Sequence, residues 1–416
     1  MKKIWYISAI LIICSFLLPI ELLARVTNLE ANFPDFLGIN DEENDYQRTI
    51  AGLKQAIKED PENYENYSRL AFVYDYIGDY ENELEAIKLE VKYMPEDLED
   101  KDVIYGNLAR AYILTGQPEQ AKPWLDKADK INPDNIFNRW HSLTYHIFKK
   151  NYKIAAKELK KLNELNTTDR DHYYEAYVYA LENVESQDSI IELFKQAVDV
   201  NPESPLSHRA LGIAIRNSSK EDYEKNMPQV MKELEKALEL DPQYIPTYIS
   251  IADTYVLLAA WTKKEDYYKD ASDWFNKGYK IDPENLRLAY ATGNLFYYTR
   301  DYDKAIEKLE YAFNNGLEGE PLIRSLASSY NGKAYAIYLS GKSLEQGLEL
   351  IEKAIRLVPN DGIFLGTKAE LLYKMGRYEE AHRYIKQALE LEPGHEEMKQ
   401  DLVMIEEALN ISPNSD

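Results

Sequence analysis

Histidines and neighbouring acidic residues are the side chains of this sequence that have the chemistry for metal binding or acid–base catalysis. Of the six histidines, His141 and His146 are five residues apart. Two imidazoles reach one metal from a single helix face when they are three or four residues apart, so this spacing argues against a metal pair. Acidic pairs such as Glu379-Glu380 are more typical of solvated helix faces than of a glycosidase. We therefore predict no metal site, no cofactor and no catalytic residue.

The motifs of nucleophilic and phosphate-binding enzymes do not occur in the sequence. There is no Gly-x-Ser-x-Gly and no glycine-rich phosphate loop. The one cysteine, Cys14, lies in an apolar run near the N-terminus, so the chain can form no internal disulfide and no zinc site with several thiolates. We predict that the protein is not an enzyme.

Acidic residues outnumber basic ones. The chain has 72 Asp and Glu against 49 Lys and Arg, for a formal net charge of −23. Nucleic-acid binders need clustered positive charge to displace counterions, so this balance argues against a DNA or RNA partner. Acidic residues on solvated helix faces are the simpler explanation of this charge, and binding of a partner with basic segments is the more specific alternative.

The N-terminus has the composition of an export segment. Lys2 and Lys3 precede an uncharged run over residues 4–20, which predicts either a secretory signal peptide or an uncleaved signal anchor at 1–25. Both remain open, because Ala24 ends a mediocre cleavage site and the run is at the lower limit for spanning a bilayer. Lipidation of Cys14 is a weaker alternative, since Ile13 stands where a lipoprotein signal has a small residue. We expect an exported protein, periplasmic, extracellular or anchored facing outward, with membrane association through residues 4–20.

The segment 362–395 shows which elements make up the rest of the chain. Leu365 and Leu372 belong to the apolar stripe of one short helix, and Ile385 belongs to that of a second. Gly376 lies between the two helices, where a residue with positive φ ends a helix, and Pro393 cannot continue the second. One such helix pair cannot bury its apolar stripes alone, so we expect further copies stacked beside it.

Prolines that end the copies recur along the chain. They are Pro61, Pro95, Pro133, Pro202, Pro242, Pro283, Pro359 and Pro393, and the steps are 34 to 42 residues when Thr167 and Leu317 are counted where proline is missing. A Leu-Ala or Leu-Gly, a tyrosine, a turn glycine and spaced alanines recur between them. The pattern resembles the tetratricopeptide repeat, a 34-residue helix-turn-helix unit. The resemblance implies an all-α fold, a right-handed superhelical solenoid of antiparallel helix pairs.

The predicted domain organisation follows from this register. After the export segment we expect a linker at 26–45, an N-terminal capping helix at 46–63, a C-terminal capping helix at 396–410 and a frayed tail at 411–416. About nine repeats fill residues 64–395, at 64–97, 102–135, 136–169, 171–204, 205–244, 245–285, 286–319, 328–361 and 362–395.

Four departures from the pattern are informative. The third unit lacks the turn glycine and the closing proline, so we interpret it as a degenerate repeat. The fifth and sixth units are lengthened between their helices, at 217–227 and 258–268. Glu320 followed by Pro321 predicts a helix start, so the first helix of the eighth unit is expected to extend from there to Leu339.

The resemblance also implies a concave surface lined by the first helix of each unit. We expect the residues at the family's groove-facing positions to contact a peptide or protein partner, and packing against the next helix is the alternative for each. These residues are Arg110, Trp140, Arg209, Arg216, Arg287, Tyr290, Asn294 and Tyr297, with Lys333 and Glu370 at later groove positions.

The predicted function is a non-catalytic scaffold, exported or membrane-anchored, which binds a peptide or protein partner in its concave groove during assembly of an envelope complex. The alternative is a solenoid that binds a small ligand, with Trp140 and Phe148 forming an aromatic cleft for a glycan or a lipid. We expect specificity to depend on the third, fifth and sixth units and on the aromatic face of the seventh.

Overall fold

The computed structural model describes residues 43–165, 172–184, 186–218 and 223–409. The predicted signal peptide or anchor at 1–25, the linker at 26–45 up to residue 42, and the tail at 411–416 lie outside the described residues. Within these ranges the secondary structure is α-helical and contains no strand. Among the described helices, none combines the length and apolar composition that crossing a bilayer requires.

Twenty α-helices occur in the described ranges; the second to the nineteenth alternate as the first and second helices of successive pairs, and the twentieth follows the last pair. They are α1 (Glu43–Glu59), α2 (Tyr64–Tyr76), α3 (Tyr80–Tyr93), α4 (Lys101–Leu114), α5 (Pro118–Ile131), α6 (Ile136–Phe148), α7 (Tyr152–Leu165), α8 (His172–Asn183), α9 (Gln187–Val200), α10 (Pro205–Arg216), α11 (Tyr223–Leu240), α12 (Ile245–Thr262), α13 (Asp266–Ile281), α14 (Leu286–Tyr298), α15 (Tyr302–Asn314), α16 (Glu320–Ser340), α17 (Leu344–Leu357), α18 (Gly362–Lys374), α19 (Tyr378–Leu391) and α20 (Glu396–Ala408).

The described residues fall into two compact units, which we call the N-terminal unit (43–250) and the C-terminal unit (251–409). In the N-terminal unit, the two helices of each pair bury their apolar stripes against each other and against the next pair. Its core includes Leu84, Ile87 and Leu108, and alanines such as Ala109 and Ala121 let the helices approach closely. Burial of each large aliphatic side chain contributes about 1.5–3 kcal/mol.

The C-terminal unit is built in the same way. Leu309, Leu322 and Ile351 are fully buried in its main core. The last helix, α20, packs Met398 and Ile405 over the final repeat pair, so it covers apolar surface that would otherwise face water. Such covering is what the end of a repeat array requires.

The turn inside each helix pair explains how the third unit folds without its glycine. In the last repeat, Gly376 adopts φ +75°, which glycine tolerates because it lacks a Cβ atom. The third unit places Lys150 in the same left-handed region, at φ +58°, and the seventh places Arg300 there, at φ +61°. A non-glycine residue in this region costs about 1–2 kcal/mol, and the packing of the flanking helices supports it.

Two predictions about helix lengths have different outcomes. The long first helix of the eighth unit is confirmed, because α16 is continuous from Glu320 to Ser340 and ends at Gly341 with φ +69°. The lengthening predicted between the helices of the sixth unit is instead mostly helical, since α12 extends to Thr262 and α13 begins at Asp266. Each residue added to an existing helix gains a backbone hydrogen bond, so extending a helix is favoured over an irregular loop.

Candidate partner-binding surface

In the N-terminal unit, Arg110 is held by two carboxylates from the preceding pair. Its Nη1 donates to Glu83 Oε1 at 2.8 Å, and its Nη2 donates to Asp75. Glu83 is 2% exposed, and burial raises the pKa of its carboxyl to about 7 although the Arg110 charge acts in the opposite direction. The guanidinium of Arg110 therefore compensates a buried acid, and its contact with a partner stays a prediction.

The two arginines of the fifth unit meet at one serine. Arg209 donates from Nε to Ser250 Oγ at 2.9 Å, and its guanidinium lies 5.9 Å from the ring centroid of Tyr244. Arg216 is 1% exposed and donates from Nη1 to the backbone oxygen of Ser250 at 3.4 Å and from Nε to Asn217 Oδ1 at 3.1 Å. The repeat register therefore identifies the inward side of the helix at Arg216, but the side chain is covered by its neighbours.

Trp140 of the third unit is half-buried, and its ring contacts that of a buried histidine. The centroids of Trp140 and His172 are 6.3 Å apart, and His172 Nδ1 lies 3.0 Å from Glu175 Oε2. Phe148 is exposed, and in the described part of the chain no ring contact joins it to Trp140. The aromatic cleft for a glycan or a lipid therefore stays a prediction, because no contact between the two rings supports it.

In the C-terminal unit, the four predicted residues of the seventh repeat lie on α14. Tyr290 and Asn294 are each 7% exposed, whereas Arg287 and Tyr297 are half-buried. Burial raises the pKa of the Tyr290 hydroxyl, and hydrogen bonds with the side chains of Asn294 and Ser325 act against that effect. The side chains of Tyr290 and Asn294 are thus buried and hydrogen-bonded to each other, so they offer a partner little accessible surface.

Tyr297 belongs to an aromatic group that sequence reasoning identified only in part. Its ring meets Tyr298 edge-on at a centroid distance of 5.9 Å and Tyr302 at 6.0 Å. Burial raises the pKa of Tyr297 and, more strongly, that of Tyr298. These three tyrosine rings pack together at the end of α14, the first helix of the seventh repeat, and we call them the aromatic wall.

Farther along the series of first helices of the C-terminal unit lies a group of side chains that we call the tyrosine–acid patch: Tyr335, Tyr338, Glu370, Glu397 and Asp401. It spans α16, α18 and α20, each of which contacts the next. The negative charges of the three acids raise the pKa of the Tyr335 hydroxyl, after the larger effect of burial. Five side chains from three helices thus lie within electrostatic reach of one another.

Positive charge compensates the acids of the patch only in part. The pKa of Glu370 rises to about 7 because of burial and because of the charges of Asp401 and Glu397, with Lys374 opposing. The ammonium group of Lys374 donates to the backbone oxygen of Tyr338 at 2.6 Å and lies 4.6 Å from that ring's centroid. Throughout the described ranges, no side chain forms a hydrogen bond or salt bridge with the three acids.

Burial and the Glu397 charge also raise the pKa of Asp401, and His395 opposes this. Three carboxylates beside two tyrosine rings suit a primary ammonium or guanidinium group, which gains both charge attraction and cation–π contact. The three acids are not a metal site, since no group of His, Cys, Asp or Glu in the described residues has a metal-binding arrangement.

Sequence reasoning placed only Glu370 of this patch at a groove position. Tyr335 and Tyr338 lie on α16, whose 21 residues depart from the repeat register, and Glu397 and Asp401 lie on the helix beyond the last repeat. The sequence signal that bears on them is the surplus of acidic residues, which does not assign them to one place.

Comparison with known proteins agrees with the repeat architecture. Two tetratricopeptide-repeat family models match residues 103–135 and 363–395. The chain therefore contains tetratricopeptide repeats, and the predicted all-α solenoid of antiparallel helix pairs is confirmed. Proteins of this class act as scaffolds for protein interaction.

Particular relatives match parts of the chain. The type IV pilus assembly protein PilF of Pseudomonas aeruginosa is 31% identical over 159 residues, 38% of this chain and 58% of that protein. The TPR repeat-containing protein YpiA of Bacillus subtilis is 23% identical over 330 residues, 76% of this chain and 63% of that protein. The chain therefore spans less than two thirds of the length of either relative.

Two solved structures also align with the chain. A structure of Pseudomonas aeruginosa PilF is 21% identical, covers 50% of this chain and 86% of its own, and has a TM-score of 0.38. YrrB, described as a TPR protein with an unusual peptide-binding site, is 18% identical, covers 50% of this chain and 97% of its own, and has a TM-score of 0.36.

Proposed function

We propose that the protein is a non-catalytic scaffold that binds an extended segment of a protein partner along the first helices of the C-terminal unit. A lysine or arginine side chain of that segment occupies the tyrosine–acid patch. The observation that supports this most strongly is Glu370, a half-buried carboxylate beside two other acids, with a pKa raised to about 7.

The electrostatics of the patch favour a cationic occupant. Ionised Glu370 is destabilised by burial and by like charges, and the attraction of a partner's ammonium group placed between the carboxylates offsets both effects. Lys374 stabilises the ionised carboxylate only in part, because its ammonium group donates its hydrogen bond to the backbone oxygen of Tyr338 and not to Glu370. Binding of the cation therefore gains energy that the unbound protein lacks.

The tyrosines give the patch its shape selectivity. Tyr335 is 41% exposed and stacks in a tilted arrangement on Tyr338, at a centroid distance of 5.7 Å. Such rings contact the aliphatic part of a lysine or the plane of a guanidinium, and they lose little conformational freedom on binding. Tyr297 and Tyr298 of the aromatic wall lie on α14, the preceding first helix that contacts α16, so an extended segment can continue along it.

The cellular setting is part of the proposal. What supports export is the basic start and apolar run over residues 1–25. What supports a role in assembling an envelope complex is the relative named as a pilus assembly protein. N-terminal sequencing of the protein from fractionated cells tests this: an envelope location agrees with export, and a protein found only in the cytosol with an intact N-terminus contradicts it.

A photo-crosslinking pair tests the surface. A benzophenone amino acid replaces Tyr335 on a first helix or, as the matched control, Tyr311 on a second helix, which is 39% exposed. We expect a partner to crosslink at position 335, with a yield that falls when Glu370→Gln is added, and not at position 311. Equal crosslinking at both positions, or a yield at 335 that Glu370→Gln leaves unchanged, refutes the proposed surface.

A further inference from the structure

A polar cavity of about 200 Å³ lies in the N-terminal unit, away from the groove residues described above. Its walls come from α5, α6 and α7, the second helix of one pair and both helices of the next. Charged and polar side chains form most of the lining. An apolar ligand such as a lipid is therefore poorly matched to it.

The basic side chains of the lining are already engaged. Arg139 donates from Nε to the Pro133 backbone oxygen at 2.6 Å, from Nη1 to Glu158 Oε2 at 3.1 Å, and from Nη2 to Asp129. The ammonium group of Lys122 donates to Asp126. An anionic ligand would have to displace these carboxylates, so the cavity does not suit an anion.

The acceptors of the lining are not matched by donors. Asp126, Asp129 and Glu158 supply three negative charges against two positive ones, from Lys122 and Arg139, so one negative charge is uncompensated. Glu158 is 14% exposed, and Arg139 Nη1 donates to its two carboxylate oxygens, which leaves further lone pairs on them.

His146 adds a buried nitrogen atom to the hydrogen-bond acceptors of the cavity lining. It is 7% exposed, and its Nδ1 has no hydrogen-bond partner among the described residues. Burial lowers the pKa of the imidazole, and the Lys122 charge lowers it further. The ring is therefore neutral at physiological pH, and its Nδ1 has a lone pair when the proton is on Nε2.

We propose that this cavity is a binding site for an alkylammonium group, which donates hydrogen bonds to Glu158 and to His146 Nδ1 and neutralises the excess negative charge. The group belongs either to a small free amine or to a lysine side chain of a partner. This site is independent of the tyrosine–acid patch, since every residue that forms it belongs to the N-terminal unit.

Isothermal titration with three small molecules tests the chemistry on the full chain. We expect saturable binding of 1,4-diaminobutane and none of 1,4-butanediol, which has no charge, or of tetramethylammonium, which has no N–H. No saturable binding of any amine, or equal binding of tetramethylammonium, overturns the proposal. A blocked lysine, N-acetyl-lysine methylamide, distinguishes the sources: tighter binding of the blocked lysine indicates a partner's side chain, and tighter binding of the diamine indicates a free amine.

Variants locate the site. Glu158→Gln and His146→Phe should each weaken amine binding at least tenfold, while Glu119→Gln, an exposed acid outside the cavity, should leave it unchanged. Circular dichroism checks that each variant is folded, and His146→Phe, whose ring has no nitrogen to accept a hydrogen bond, keeps the test decisive if Glu158→Gln unfolds. Unchanged amine affinity in folded His146→Phe overturns the proposal.

Discussion

Replacing Glu370 by glutamine should make the protein more stable at alkaline pH, even though it removes a residue of the proposed binding surface. The pKa of Glu370 rises from 4.5 to about 7 on folding. A carboxyl whose pKa is higher in the folded chain contributes stability below the unfolded-state pKa, and this contribution is lost as pH rises through the folded-state pKa. Wild-type stability should therefore fall between about pH 4.5 and 7 because of this residue.

The size of the effect follows from the same values. The interval from 4.5 to about 7 covers about 2.5 pH units. Each unit is worth about 1.4 kcal/mol, so the full effect is about 3.5 kcal/mol. Because Glu370 is only half-buried, solvent screens part of the interaction, and we expect about 1–2 kcal/mol.

Urea denaturation at pH 5 and pH 8 measures the pH dependence of the free energy of unfolding for wild type, Glu370→Gln and the exposed control Glu379→Gln. Other buried acids, such as Glu83 and Glu90, titrate in all three proteins, so their contributions cancel in the comparison. The stability of Glu370→Gln relative to wild type should rise by about 1–2 kcal/mol from pH 5 to pH 8, and that of Glu379→Gln should not. An equal pH dependence in wild type and Glu370→Gln would refute the burial and charge crowding assigned to Glu370.

Two further predictions concern backbone and packing, and urea denaturation measures both. Gly293→Ala should lower the free energy of unfolding by about 1–2 kcal/mol, because the new Cβ would lie 2.6 Å from Cγ of the buried Leu309. The control Gly52→Ala, whose new Cβ would have nothing within 4 Å, should raise it by about 0.5–1 kcal/mol. If both alanines had the same effect, the close approach at Gly293 would be wrong. Arg300→Gly should stabilise by about 0.5–1 kcal/mol, because glycine tolerates the φ of +61° there, and a destabilised variant would contradict this.

The helix pairs could be predicted from the sequence because their determinants are local. A turn glycine, a closing proline and alanines at fixed offsets define each pair without reference to distant residues, as at Gly376 and Pro393. The start of α16 was likewise readable from Glu320 and Pro321. The extension of the first helix of the sixth unit to Thr262 could not be predicted, because inserted residues have no fixed position in the repeat pattern.

The surface chemistry could be predicted less well because it depends on packing between units. Repeat register indicates which side of a helix faces the groove, but not whether a neighbouring helix covers it, as at Arg216. The carboxylates of Glu370, Glu397 and Asp401 come together only because α18 and α20 stack. No spacing in the sequence relates them, so only the structure reveals the patch.

Binding of lysine-containing peptides is the measurement that tests the proposed function most directly. An array of extended peptides is titrated by fluorescence anisotropy, each with a central lysine or with the uncharged norleucine in its place. The account predicts that the lysine forms bind wild type at least tenfold more tightly, that the preference disappears in Glu370→Gln and persists in Glu379→Gln, and that salt weakens it. Equal affinity for lysine and norleucine forms, or an undiminished lysine preference in Glu370→Gln, would contradict the account.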